Sequence, residues 1–110
     1  MKSFTRNGLL WACAVLCWSA AAVAADTETL LKEKRCNACH DAEKALIGPP
    51  WKAISLRYQA EKQKSIEALA RKIITGGGGS WGVVPMVPNE HVSEADARTM
   101  AEWILNLSAR

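Results

Sequence analysis

The chain is short of the residues from which metal sites are built. Its 110 residues hold two histidines, His40 and His91, and four cysteines. Two of the cysteines, Cys13 and Cys17, fall in an N-terminal stretch expected to be removed, which leaves Cys36, Cys39, His40 and His91. A zinc site needs four ligands, and His40, adjacent to Cys39, is badly placed to share a tetrahedral ion with both cysteines. No convincing strand pattern occurs, so the βαβ setting of a thioredoxin-like cysteine pair is missing. A disulfide between Cys36 and Cys39 would close too short a loop to stabilise much. The glycines at 76–79 are not followed by G-K-[ST], which excludes a phosphate loop. Internal repeats and a second domain are also lacking. Charge of one sign is scarce: 14 basic residues face 11 acidic ones, and losing Lys2 and Arg6 with the N-terminal stretch lowers the balance from +3 to about +1. Nucleic-acid binding has no electrostatic support from such a chain.

What is present begins with MKSFTRNGLLWACAVLCWSAAAVAAD. Lys2 and Arg6 form a basic start, an uncharged run of 18 residues follows at 8–25, and Ala22, Val23 and Ala24 supply small residues for signal peptidase. The expectation is a secretory signal peptide over residues 1–25, cut after Ala24 or Ala25, that delivers the chain to the periplasm. An uncleaved anchor is the alternative, since such a run is just long enough to span a bilayer. After cleavage no stable membrane insertion is expected. The remaining 26–110 form one domain, small enough to have a thin core unless something staples it.

Four segments read as helices, making the fold class all-α. The first covers residues 27–39, with Asp26 or Thr27 as N-cap and Leu30 and Leu31 as apolar anchors. The second places Pro50 in its first turn, followed by Trp51, Ile54, Ser55 and Tyr58 at helical spacing. The third carries Ile66, Leu69, Ala70, Ile73 and Ile74 and stops at Gly76. The fourth opens at Ser93, with Asp96 three residues on, and aligns Ala97, Met100, Ala101 and Ile104, widened by Trp103 and Leu107. Between the last two lies GGGGSWGVVPMVPNEH, a long irregular loop whose length in so small a domain points to a function.

The segment RCNACH carries the chemistry. On a helix Cys36, Cys39 and His40 stand at i, i+3 and i+4 and share one face. Two sulfurs so placed can form thioethers with a porphyrin's vinyl groups while the imidazole reaches the iron. C-x-x-C-H is the attachment signal of c-type haem, so one covalent haem c and its iron are the expected cofactor, held by Cys36, Cys39 and His40. The sixth iron position needs a second ligand. Met100 sits on the apolar stripe of the last helix and reads as core. Met86 sits in the irregular loop between Pro85 and Pro88, which restrict its backbone, and its soft sulfur suits c-type iron. Met86 is the expected ligand. A Met86 that only covers the haem, and His91 as competing ligand, are the other readings; His91, just ahead of a helix, suits a solvated position.

With these pieces in view, the chain resembles the short bacterial class I cytochromes c, the monohaem c-551 type, over the whole of 26–110. The likeness is carried by CNACH, IGPPWK, WGVVPMVPN and MAEWILNL, in that order and at similar separations. It implies a small fold of about four helices wrapped around one haem. It also implies that the Pro49 carbonyl accepts a hydrogen bond from His40 Nδ1–H, that Trp81 donates its indole N–H to a haem propionate, and that the Asn89 side chain bonds the Met86 sulfur. Without the resemblance, Pro49 and Asn89 read as turn residues and Trp81 as a pocket wall. Two positions depart from the family. Lys72, beside Arg71, stands where a propionate-binding arginine is common, and a lysine lacks the planar two-pronged contact. Leu31 stands where an aromatic residue often packs.

The function these readings imply is one-electron transfer by a carrier, not catalysis, because both axial positions are filled by protein. A monomer is expected, meeting redox protein partners: a respiratory donor complex and a terminal reductase or oxidase. Lys32, Lys34, Arg35 and Lys44 lie near the attachment segment and either rim the exposed haem edge or form a solvated face. A membrane-anchored cytochrome subunit and a haem-based sensor or peroxidase-like protein are the alternative readings.

Overall fold

In the computed structural model, residues 20–109 are described. Residues 1–19, most of the expected signal peptide, lie outside them. Four helices occur among the described residues: α1 (Ala20–Glu33), α2 (Trp51–Arg57), α3 (Lys62–Thr75) and α4 (Glu94–Leu105), with 3₁₀ turns at Cys36–Ala38, Gln59–Glu61 and Leu107–Ala109. No strand is found among the described residues, only one isolated antiparallel bridge between Gly77 and Met86.

The fourth helix follows its sequence pattern closely. Ser93 takes the extended N-cap conformation and its Oγ accepts the Asp96 N–H at 3.1 Å, which satisfies one of the helix's unpaired first-turn donors. Ala97, Met100 and Ala101 are fully buried, and Ile104 and Trp103 nearly so. Burying side chains of the size of Met100 and Ile104 contributes roughly 1.5–3 kcal/mol each. Helix α4 is the hub on which α1, α2 and α3 pack. The core it organises includes Leu31 of α1, Trp51 and Ile54 of α2, Ala70 of α3 and Val92 of the preceding loop.

The middle helices also match their pattern. Helix α2 starts after Pro50, which serves as N-cap and not as a first-turn residue. Buried Ser55 donates its hydroxyl to the Leu105 carbonyl at 3.1 Å and accepts the Ser108 N–H at 3.0 Å, so the one polar side chain on the inner face of α2 is satisfied. Helix α3 ends at Gly76, whose φ of 67° lies in the left-handed region. Ile66 and Ala70 are buried, whereas Leu69, Ile73 and Ile74 are half-buried.

The first helix departs from expectation at both ends. It is already helical at Ala20, the first described residue, ahead of the expected N-cap at Asp26 or Thr27, because an alanine-rich stretch is the best of helix formers. It ends at Glu33 and not at Cys39. Arg35 adopts φ 64°, ψ 22°, a left-handed step that no α-helix continues through. The cysteine segment is thus a separate tight turn, not the last turn of α1. No helix among the described residues is long and apolar enough to cross a membrane.

Candidate functional site

The 3₁₀ turn at Cys36–Ala38 keeps the three chemistry-bearing residues together without an α-helix. The Cys39 and His40 N–H groups both donate to the Cys36 carbonyl, at 3.2 and 3.1 Å. Cys36 and Cys39 are unpaired, half-buried thiols. Burial, with the neighbouring Cys39 adding a smaller push, raises the Cys36 thiol above its ordinary value against the pull of a backbone hydrogen bond.

His40 is 8% exposed and is fixed from three directions. Its Nδ1 lies 2.7 Å from the Pro49 carbonyl. Its ring stacks on Trp51, with centroids 4.4 Å apart and planes 19° from parallel. Gly48 closes the third side: a Cβ there would fall 2.5 Å from His40 Cε1 and 2.9 Å from Nε2, so only glycine fits. The 41–50 segment returns under the ring because Gly48 N–H donates to the Cys39 carbonyl at 2.7 Å and Trp51 N–H to that of Asp41 at 2.9 Å. Burial holds the imidazole below its ordinary pKa, outweighing the Pro49 carbonyl, which acts the other way. A buried neutral imidazole with one nitrogen already engaged presents the other as a lone-pair donor.

Met86 is placed by the end of α3. Gly77 and Met86 exchange two backbone hydrogen bonds of 2.9 Å, and the Gly76 α-carbon is so close that a Cβ would meet the Met86 carbonyl at 2.4 Å. Asn89 secures the far side: its N–H donates to the Ile74 carbonyl at 2.9 Å, and its Nδ2 donates to the carbonyls of Ile73 at 2.9 Å and Val87 at 3.2 Å. These carbonyls, not the Met86 sulfur, are the partners of the Asn89 side chain in this structure. Trp81 is 43% exposed with the Arg57 guanidinium over its ring. Lys72 reaches past the glycine run, where a Cβ on Gly77 would lie 3.0 Å from its Nζ. Met100 is fully buried in the core. His91 is exposed, its Nε2 3.4 Å from the Lys34 carbonyl. Of the four cations flanking the attachment segment, Lys34 is committed to Asp96 at 3.6 Å, while Lys32, Arg35 and Lys44 are exposed.

Gly48, Trp51 and Arg57 belong to this arrangement although the sequence did not single out Gly48 or Arg57 for it. The segment IGPPWK contained Gly48, but no spacing rule announces that its α-carbon touches an imidazole eight residues back. Leu31, at the position where an aromatic residue often packs, is buried and lines an open recess with Asn37, His40, Trp51 and Trp103.

The arrangement suits a large apolar group gripped from two sides. Among the described residues, seven large hydrophobic side chains stand exposed, and six of them flank His40 or Met86: Leu46 and Ile47 after His40, and Trp81, Val83, Val84 and Val87 around Met86. Exposed apolar surface gathered in this way marks a binding region. Two thiols and a buried neutral imidazole on one turn are the donor set that haem c requires.

Comparison with known proteins agrees. The Cytochrome c family model matches residues 24–108. Cytochrome c-552 of Nitrosomonas europaea is 46% identical over 78 residues, spanning 71% of this chain and 75% of that protein. Cytochrome c-551 of Azotobacter vinelandii is also 46% identical over 78 residues, spanning 71% and 93%. The crystal structure of wild-type Nitrosomonas europaea cytochrome c552 superposes with a TM-score of 0.69 at 45% identity, covering 73% of this chain and 98% of that one. The chain belongs to the cytochrome c family, as a short class I member of the c-551 type with haem c attached through Cys36 and Cys39.

Proposed function

We propose that this protein is a periplasmic one-electron carrier whose haem iron is bound by His40 and Met86. Bound haem supplies an iron that accepts and returns a single electron. The residues of the chain set the conditions for that exchange. His40 offers Nε2 to the iron while its Nδ1–H donates to the Pro49 carbonyl, which fixes the tautomer and ring orientation and raises the basicity of the ligand. Trp51 and Gly48 leave the ring no room to turn, so its position is the same before and after the electron moves. Met86 brings a soft thioether from the opposite segment, a ligand that raises the potential of c-type iron.

With His40 and Met86 both holding the iron, no coordination site would be left for a substrate, so the protein would act as a carrier and not as an enzyme. Lys72, in the last turn of α3, and Trp81, on the segment between α3 and Met86, serve the haem carboxylates. Lys32, Arg35 and Lys44 steer encounters with the respiratory donor complex and the terminal reductase or oxidase. The signal peptide is removed after Ala24 or Ala25, and the mature protein is a soluble monomer.

The observation that carries this reading is the 2.7 Å contact between His40 Nδ1 and the Pro49 carbonyl, made inside a cradle that only Gly48 permits. Carbon monoxide added to the reduced protein tests the ligand pair. Slow binding by the wild type and binding at least about tenfold faster by Met86→Ala support it; equally fast binding by both means Met86 is not on the iron. N-terminal sequencing of the protein recovered from the periplasmic fraction tests the cleavage site, and an intact N-terminus in the membrane fraction would replace the free carrier by an anchored one.

A further inference from the structure

The segment that carries Met86 is closed at its base and weakly held at its tip. The base is the pair of Gly77–Met86 hydrogen bonds. At the tip, Gly79 N–H donates to the Gly82 carbonyl at 3.1 Å. Both glycines lie at positive φ, 92° and 114°, and an added Cβ on either would meet nothing within 4 Å. A loop this rich in glycine brings no stiffness of its own and loses more entropy than most on becoming ordered. Something outside the loop must hold it.

Among the described residues, the hydrogen bond and the ring contact that join this tip to the rest of the molecule both come from Arg57, the last residue of α2. Its guanidinium carbon lies 4.5 Å from the centre of the Trp81 ring, within cation–π range. Its Nη1 donates to the Ser80 carbonyl. The guanidinium therefore contacts two consecutive residues, the carbonyl of Ser80 and the ring of Trp81. A planar, weakly hydrated cation stacks on an aromatic ring and donates from a pre-organised fork, for which an ammonium group is the poorer substitute. Tyr58 lies against the other end of the same contact, with Arg57 5.8 Å from its ring centre.

We propose that Arg57 is a positioning residue for Met86: by clamping Ser80 and Trp81 to the end of α2, it keeps the loop from peeling away and so holds the thioether on the iron. The proposal rests on the reading of Met86 as the second iron ligand. The loop tip and the ligand share one short hairpin with a single bridge at its base, so freeing the tip leaves the Gly77–Met86 pair and the Asn89 contacts beyond Met86 to resist opening. Ligand loss by local opening is the expected consequence, with the helical core intact.

The test uses the reduced holoprotein with carbon monoxide as probe. The wild type, Arg57→Ala, Arg57→Lys and Met86→Ala are compared for CO association rate, and amide hydrogen exchange is followed at Ser80, Trp81 and Met86 and, in α4, at Met100. Arg57→Ala is expected to bind CO about 3–10 times faster than the wild type, the size of effect that an exposed cation–π contact and one hydrogen bond allow. Arg57→Lys should fall between them, and Met86→Ala should be fastest. Exchange at Ser80, Trp81 and Met86 should quicken in Arg57→Ala while Met100 stays protected. If Arg57→Ala binds CO at the wild-type rate while Met86→Ala is fast, Met86 is the ligand and the positioning role is overturned. If wild type and Met86→Ala bind equally fast, the ligand reading fails and takes the proposal with it. Exchange that quickens at Met100 as much as at Trp81 would make Arg57 a general stabiliser and also overturn it.

Discussion

The His40 side and the Met86 side of the site hold their proposed iron ligands by opposite means. His40 is buried and boxed in by a carbonyl, a stacked indole and a glycine α-carbon. Met86 is half-buried beside loop residues 77 to 85, which are all exposed, and hydrogen bonds to Gly77 before it and from Asn89 after it secure the segment. Close-packed surroundings transmit strain, because there is no free volume to absorb it. A tethered loop absorbs strain by moving. The two proposed iron ligands should therefore fail differently: His40 only with the fold, Met86 by local opening.

One added methyl group on each side is the sharpest way to break that comparison. Gly48→Ala should have the largest effect on stability, about 3 kcal/mol, because its Cβ meets an imidazole that cannot move aside. Thermal unfolding of the holoprotein should register it as a fall in Tm of roughly 12–24 °C for a domain of this size. A fall of only a few degrees would show that the His40 cradle is softer than its geometry indicates. Gly76→Ala makes a closer contact, 2.4 Å to the Met86 carbonyl, at a φ of 67°. Here the loop can yield, so the expected cost to global stability is smaller, about 1–2 kcal/mol. CO binding to the reduced protein should rise by about tenfold or more. Should Gly76→Ala instead melt the protein as severely as Gly48→Ala with CO binding unchanged, the two sides are equally rigid.

Asn89→Ala comes next. It removes the donors to the Ile73 and Val87 carbonyls but spares the backbone bond to Ile74, and about 1 kcal/mol is the expected loss. The measurement that places this loss is hydrogen exchange: amides of the Met86 segment should exchange faster while those around His40 do not. The smallest effect belongs to Lys34→Ala. This residue ties the start of the attachment turn to α4 through a 3.6 Å pair with Asp96 whose side chains are 25% and 37% exposed. Such a pair is worth about 0.5 kcal/mol, and denaturant titration should find no more. A larger loss would mean that charge, and not packing, holds the His40 side together.

The parts of this site that were legible in the chain are those whose chemistry depends on neighbours along it. C-x-x-C-H needs only spacing, and the proposal of Met86 rests on local backbone restriction between two prolines. The apolar positions of α4 and its Ser93 cap follow from helical period and from the unpaired donors of a first turn. The end of α1 was less legible. Residues 34–39 carry no glycine or proline, so nothing in them warned that Arg35 would take a left-handed conformation and detach the cysteine turn from the helix.

The sequence by itself thus determined the attachment chemistry, the all-α class and the buried faces of the helices, because these rest on interactions within a few residues. Tertiary structure alone decided that Gly48 must lack a side chain, that Arg57 sits over a tryptophan from a distant segment, and that Asn89 spends its side chain on the end of α3. Each of those is a contact between segments brought together by the packing of the whole chain. Spacing along the chain carries no record of which α-carbon will end up against which ring.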